Sequence, residues 1–118
     1  MSIYVQDETS RSKPHRRIER ILDKMKISYE SEVSFQPYSL DIYLLEWHIG
    51  VEVDGPTHTL KKDAIRDEAL REAFFLPVLH IRTMDQLSHL EIVTLIEDFI
   101  VKWADSGQQR KRQWISST

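Results

Sequence analysis

The stretch Leu40-Asp41-Ile42-Tyr43-Leu44-Leu45, then Glu46-Trp47, then His48-Ile49-Gly50-Val51-Glu52-Val53, closed by Asp54-Gly55-Pro56, decides the fold. Two short apolar runs around a two-residue link predict neighbouring antiparallel strands, and Asp54-Gly55-Pro56 ends the second strand abruptly. Carboxylates interrupt this most apolar part of the chain. Glu52 and Asp54 stand two apart in one strand and so point to one face of the sheet. With the hairpin turning about Glu46-Trp47, Asp41 falls close to opposite Glu52. Three carboxylates at one end of a sheet cost on the order of several kcal/mol in repulsion and desolvation unless something neutralises them. A hard divalent cation removes that cost, and oxygen ligands of this kind are what magnesium takes. The bland alternative is a row of charges on a half-exposed strand, which is the reading for Glu30 and Glu32.

Working outward, residues 28–35 alternate with period two, placing Tyr29, Ser31, Val33 and Phe35 on one face, and Gln36-Pro37-Tyr38-Ser39 makes a turn. Before them a helix begins near Lys13, with Ser12 as cap, Pro14 in the first turn, and Ile18, Ile21, Leu22 and Met25 as one apolar stripe. After the hairpin, a helix over 61–74 presents Ile65, Ala69, Leu70 and Ala73. A strand over 77–82 is apolar enough to lie inside the sheet. A last helix over 88–104 carries Ile92, Leu95, Ile96, Phe99 and Trp103. The order αβββαβα predicts an α/β fold in which a mixed β-sheet of about four strands is flanked by helices. Residues 1–12 read as a flexible N-terminal segment, 13–104 as the domain, and 105–118 as a basic tail without periodicity.

A chain of 118 residues has room for one domain. No apolar run approaches the roughly 18 residues of a membrane span, and the start has no signal-peptide pattern. The absence of cysteine excludes disulfides, iron–sulfur clusters and thiolate zinc sites, and fits a reducing compartment. The expectation is a soluble, cytoplasmic or nucleoid-associated protein with no membrane partner. Charge is distributed unevenly: net +5 from Arg11 to Lys26, +3 at Arg110, Lys111 and Arg112, and −9 between them over 27–109. Basic ends around an acidic centre suit a metal-dependent enzyme acting on a polyanion, cations holding phosphates while carboxylates hold the metal. A solvated helix face with a loose tail would give the same charges.

The Gly55-Pro56-Thr57-His58 turn brings an imidazole back toward the carboxylates. His58 could there ligate a metal, activate water or protonate a leaving oxygen. His15, His48, His80 and His89 lack such a setting and read as structural or surface residues. Asp63, Arg66 and Asp67 open the following helix. They either suit its dipole or brace the site, with Arg66 also a candidate phosphate ligand. Glu19 lies beside the apolar stripe of the first helix and could point toward the sheet, with Arg16, Arg17 and Arg20 spread around it.

These residues resemble a known group of nucleases. The resemblance rests on Ile18-Glu19-Arg20-Ile21-Leu22, Tyr38-Ser39-Leu40-Asp41-Ile42-Tyr43, Val51-Glu52-Val53-Asp54-Gly55-Pro56-Thr57-His58, Asp63-Ala64-Ile65-Arg66-Asp67 and Leu76-Pro77-Val78-Leu79-His80-Ile81-Arg82. Together they are similar to the very short patch repair-like endonucleases and related phage homing endonuclease catalytic domains of the PD-(D/E)XK superfamily. The resemblance implies a restriction-endonuclease-like fold and a metal-dependent DNA endonuclease, using magnesium with manganese as substitute. A non-catalytic module binding DNA or RNA on the same fold is the alternative. It further implies Asp41, Glu52 and Asp54 as metal ligands, and Glu19 and His58 as catalytic partners. Arg16, Arg17, Arg20, Arg110, Lys111 and Arg112 would then contact the DNA backbone. Two features depart from the pattern. Asp54 stands where the superfamily carries its lysine, and the zinc site of the repair enzymes is absent, so mismatch specificity is not carried over. So short a chain leaves little surface for reading bases. A homodimer or larger fusion partner is therefore expected if cleavage is site-specific, and a phage-encoded origin fits.

Overall fold

Ser12 caps the first helix, its Oγ accepting the His15 N–H at 3.2 Å, and Pro14 occupies the first turn where its missing N–H costs nothing. This helix, α1, spans Lys13–Lys24 in the computed structural model, which describes residues 11–56 and 60–118. Ile18, Ile21 and Leu22 are buried on its sheet-facing side, as their spacing predicts. Strands β1 (Glu30–Phe35), β2 (Tyr38–Leu44) and β3 (Ile49–Asp54) follow as an antiparallel meander. Helix α2 (Leu60–Phe74) crosses over to β4 (Val78–Arg82), which pairs parallel with β3. A single 3-10 turn, Thr83–Asp85, leads to α3 (His89–Trp103), whose entry is a reciprocal capping box between Ser88 and Glu91. The sheet order is β1-β2-β3-β4. Among the described residues, no helix is long and apolar enough to cross a membrane.

Two apolar layers sandwich this sheet. Ile42, Leu44, Ile49, Val51 and Ile81 pack with the stripes of α1 and α3, while Leu40, Tyr43, Leu70 and Leu76 form a second cluster beneath α2. Each such fully buried aliphatic side chain contributes about 1.5–3 kcal/mol. Strand β4 is at the sheet edge rather than inside it; its apolar character comes from helices covering both faces. Helix α2 also departs from expectation. Only Leu70 is buried, and Ile65 is 60% exposed. The helix is held to the sheet by polar contacts, described below, in place of an apolar stripe.

The alternation of β1 breaks at Glu32, whose φ is +55°. Ser31 consequently meets α1, whereas Val33 and Phe35 join the opposite cluster, so the four residues expected on one face are divided between two. Strand β2 changes phase at the same level. Leu40 belongs to one cluster and Ile42 to the other, with Asp41 at the break. A left-handed non-glycine residue costs about 1–2 kcal/mol, and such strain collects where a side chain must be re-aimed.

Residues 107–117 are not an irregular tail. They form a further helix, α4 (Gly107–Ser117), docked at the hairpin end of the sheet. Trp114 stacks on the buried His48, ring centroids 5.1 Å apart and planes at 21°. His48 bridges the Tyr43 hydroxyl and the Phe74 carbonyl, both at 2.8 Å, and burial pushes its pKa down, keeping it neutral. Gly107 is required for this docking. A Cβ there would lie 2.7 Å from the Trp47 carbonyl oxygen and 3.1 Å from its carbon, both backbone atoms. Gly107→Ala is expected to lower stability by about 1–3 kcal/mol in urea denaturation; no measurable change would mean that α4 shifts freely on its seat.

Candidate active site

The β2–β3 ladder runs from Leu44↔Ile49 to Ile42↔Val51 and then opens. Side chains take over where it stops. The Asp41 N–H donates to Glu52 Oε2 at 2.6 Å, and the Val53 N–H donates to Asp41 Oδ2 at 2.8 Å. Asp41 and Glu52 are therefore neighbours, as the hairpin spacing predicts. Arg66 of α2 completes the knot, its Nη1 2.7 Å from Glu52 Oε1 and its Nη2 donating to the Ser39 carbonyl. Burial pushes the Glu52 carboxyl up. Burial also works against the Arg66 charge, but the hydrogen bond and attraction of Glu52 outweigh it and push that pKa up. These directions pull opposite ways on one pair. With the contact at 2.7 Å and the Asp41 N–H also serving the anion, the ionised pair is the form the geometry holds.

Asp54 and Glu52 both face α2, as period two requires, but they reach different partners. Asp54 Oδ2 lies 2.8 Å from His80 Nδ1, and His80 Nε2 lies 2.6 Å from Asp67 Oδ2 on α2. The parallel register sets Glu52 beside His80 and Asp54 beside Arg82. Hydrogen bonds to Asp54 and then to Asp67 push the His80 pKa up to about 10 against its partial burial. At neutral pH the ring is thus an imidazolium donating from both nitrogens. Asp63, one turn before Asp67, brings a further carboxylate to this place. Polar side-chain atoms of Asp54, Asp63 and His80 all lie within 4.8 Å of one another.

Among the described residues, Asp41, Glu52 and Asp54 do not form so compact a group. The cluster that could take a cation is built on Asp54 with Asp63, while Asp41 and Glu52 close the hairpin behind it. The donor set fits a hard divalent ion through the Asp54 and Asp63 carboxylates. The imidazolium has no lone pair to offer and acts as a fixed positive partner. The sequence alone places His80 among the structural or surface histidines, and the structure places it in this group. The signal for it is parity. Leu79 and Ile81 go to the α1/α3 layer, so His80 between them must share the face of Glu52 and Asp54 once β4 runs parallel to β3.

Glu19 is buried and does point to the sheet. Its Oε2 accepts from Ser31 of β1 and lies 2.8 Å from Arg11 Nε and 3.5 Å from His15 Nε2. Its partners Arg11 and His15 line a recess of about 390 Å³ together with Ser39, Asp41 and Val53. His58 lies outside the described residues. Of the predicted backbone cations, Arg17 donates to the Leu87 carbonyl at 3.1 Å, Arg16 is half-buried, and Arg20 is exposed. Arg110 must be reassigned. It is only 9% exposed and its guanidinium is spent on main-chain carbonyls. Lys111 and Arg112 share α4, which docks at the opposite end of β3 from Asp54.

The chain is thus a four-stranded mixed sheet flanked by helices, with Asp54 at the carboxyl end of β3 beside Arg82 at that of β4. No family model and no curated protein matches the chain. Among solved structures it is similar to the catalytic domain of the homing endonuclease I-Bth0305I, at 24% identity and a TM-score of 0.66, over 78% of this chain and 97% of that one. The likeness at that identity is one of fold.

Proposed function

We propose that the chain is a metal-dependent DNA endonuclease domain that hydrolyses phosphodiester bonds. The observation that carries the reading is the group formed by Asp54 at the end of β3, His80 in the middle of β4 and Asp63 on α2, on a fold similar to that of a homing endonuclease catalytic domain. Asp54 and Asp63 would hold magnesium or manganese, which when bound neutralises phosphate charge and lowers the pKa of water. His80 is a positioning residue. Its two N–H groups fix the carboxylates of Asp54 and Asp67 and offset their mutual repulsion. Asp41 and Glu52 hold the hairpin end open at the recess, and Arg66 ties α2, with Asp63 and Asp67, to that same end. Hydrolysis joins a water oxygen to phosphorus, the water giving up a proton, while the bond to the leaving oxygen breaks and that oxygen takes up a proton. His58 is the candidate for one of these proton transfers, since the superfamily lysine is replaced by Asp54. Glu19 would hold Arg11 and His15, which line the Asp41 recess.

The test is conversion of supercoiled plasmid with magnesium, manganese or EDTA, for wild type and Asp54→Asn. Metal-dependent nicking or linearisation is expected, reduced about 100-fold in the variant, equivalent to about 2.7 kcal/mol of barrier. Cleavage that survives the substitution would sink the site assignment. DNA binding that weakens with salt but leads to no cleavage with either metal would favour a non-catalytic binding module.

A further inference from the structure

A second opening lies at the same end of the sheet, on the α1/α3 side. It is a cleft of about 330 Å³ between the first turns of α1, the ends of β3 and β4, the 3-10 turn and α3. Ile18, Val53 and Ile81 make an apolar floor, and none of the lining residues is acidic. Lys13, Arg20 and Arg82 converge on it from α1 and β4, and among the described residues none of the three has an ion-pair partner. Arg17, also on the rim, is engaged with the Leu87 carbonyl and pins the loop that forms the far wall. That wall carries Thr83 and Gln86, a hydroxyl and an amide able to donate and accept.

Phosphate alone would need the cations but not the apolar floor, and an apolar ligand would need the floor but not the cations. We propose that this cleft binds one nucleotide unit, its phosphate on Lys13, Arg20 and Arg82 and its base on the floor against the Gln86 wall. A volume of this size is at the lower end for small-ligand clefts, enough for one nucleotide. A base stacked in a duplex cannot enter it, so the occupant is an unstacked nucleotide. Its place relative to the carboxylates follows from shared walls. Arg82 also lines the recess of Asp54, Asp63 and Asp85, and Val53 also lines the recess of Asp41. The assignment of the nucleotide to a DNA strand running into the acidic recess rests on the nuclease reading. The nucleotide chemistry rests on the cleft.

The experiment is an amide-shift NMR titration of the full chain, in EDTA, with dTMP, thymidine, inorganic phosphate and a thymidine tetranucleotide. The expected result is that dTMP moves the amides of Val53, Ile81 and Arg82 at concentrations at least tenfold below those at which thymidine or phosphate does so. Arg82→Ala and Arg20→Ala, both at exposed side chains, should each weaken dTMP at least fivefold without changing the rest of the spectrum. Phosphate binding as well as dTMP, or shifts elsewhere only, would overturn the proposal. Tetranucleotide binding at least tenfold tighter than dTMP identifies a strand as the source; equal binding would overturn the strand and leave a free nucleotide as the ligand. Asp54→Asn should bind dTMP like wild type while showing the roughly 100-fold loss of cleavage expected above. A protein that binds dTMP but never cuts DNA would keep this cleft and refute the nuclease, and one that cuts but prefers phosphate would do the reverse.

Discussion

Replacing Arg110 with alanine is expected to lower the unfolding free energy by about 3–5 kcal/mol, the cost of stranding buried groups whose charged partner has gone. The side chain donates to four main-chain carbonyls: His48 at 2.5 Å, Phe75 at 3.1 Å, and Trp47 and Trp103 both at 2.9 Å. Its Nε also reaches Ser106 Oγ at 2.8 Å. Those carbonyls belong to the β2–β3 turn and to the segments leaving α2 and α3, so one guanidinium joins three parts of the chain to α4. Burial pushes its pKa down, but a guanidinium remains charged at any ordinary pH. Arg110→Lys should recover less than half of the loss, because an ammonium lacks the planar fork that serves carbonyls on several sides. Urea denaturation of the three proteins decides it. A loss below about 1 kcal/mol for the alanine variant would mean that water replaces the guanidinium at these carbonyls and that α4 is dispensable.

The same residue marks where sequence reading stops. Arg110-Lys111-Arg112 looks like a loose basic tail because its helix has no apolar stripe; it is anchored by Trp114 on a buried histidine and by Arg110 on carbonyls. Neither anchor has a periodic signature. Helix α2 is the mirror case. Ile65, Ala69, Leu70 and Ala73 have helical spacing, yet the helix is held mainly by Arg66 to Glu52 and Asp67 to His80, with Leu70 alone buried. What was legible followed from short-range rules: the capped stripe of α1, the hairpin about Glu46-Trp47, and the shared face of Glu52 and Asp54. The adjacency of Asp41 and Glu52 was legible for the same reason. The phase break at Glu32 was not, since no glycine or asparagine announces a positive φ there. The Asp54, Asp63 and His80 group was only half visible. It needs the parallel pairing of β3 with β4 and the crossing position of α2, both long-range facts.

That group also predicts how stability should depend on pH in metal-free buffer. The pKa of His80 is pushed up to about 10 from the usual value near 6.5 by the hydrogen bonds it donates to Asp54 and Asp67. A raised folded-state pKa means that the folded protein holds the proton more tightly than the unfolded chain does. The resulting stabilisation is fully present below about pH 6.5 and is lost progressively as pH rises through about 10. A shift of this size corresponds to about 3–5 kcal/mol at most, since each unit contributes about 1.4 kcal/mol. The stability gap between wild type and His80→Gln, measured with EDTA, should therefore be widest near pH 6 and close steadily toward pH 10. Glutamine can still donate to one carboxylate but carries no charge, so the part of the gap that changes with pH isolates the imidazolium. Imidazole NMR signals in the wild type should remain those of the protonated ring at pH 8. A gap that is flat from pH 6 to 10, with a neutral ring at pH 8, would refute the imidazolium bridge. It would also return His80 to the pool of candidate metal ligands, because a neutral ring has a lone pair that a cation can use.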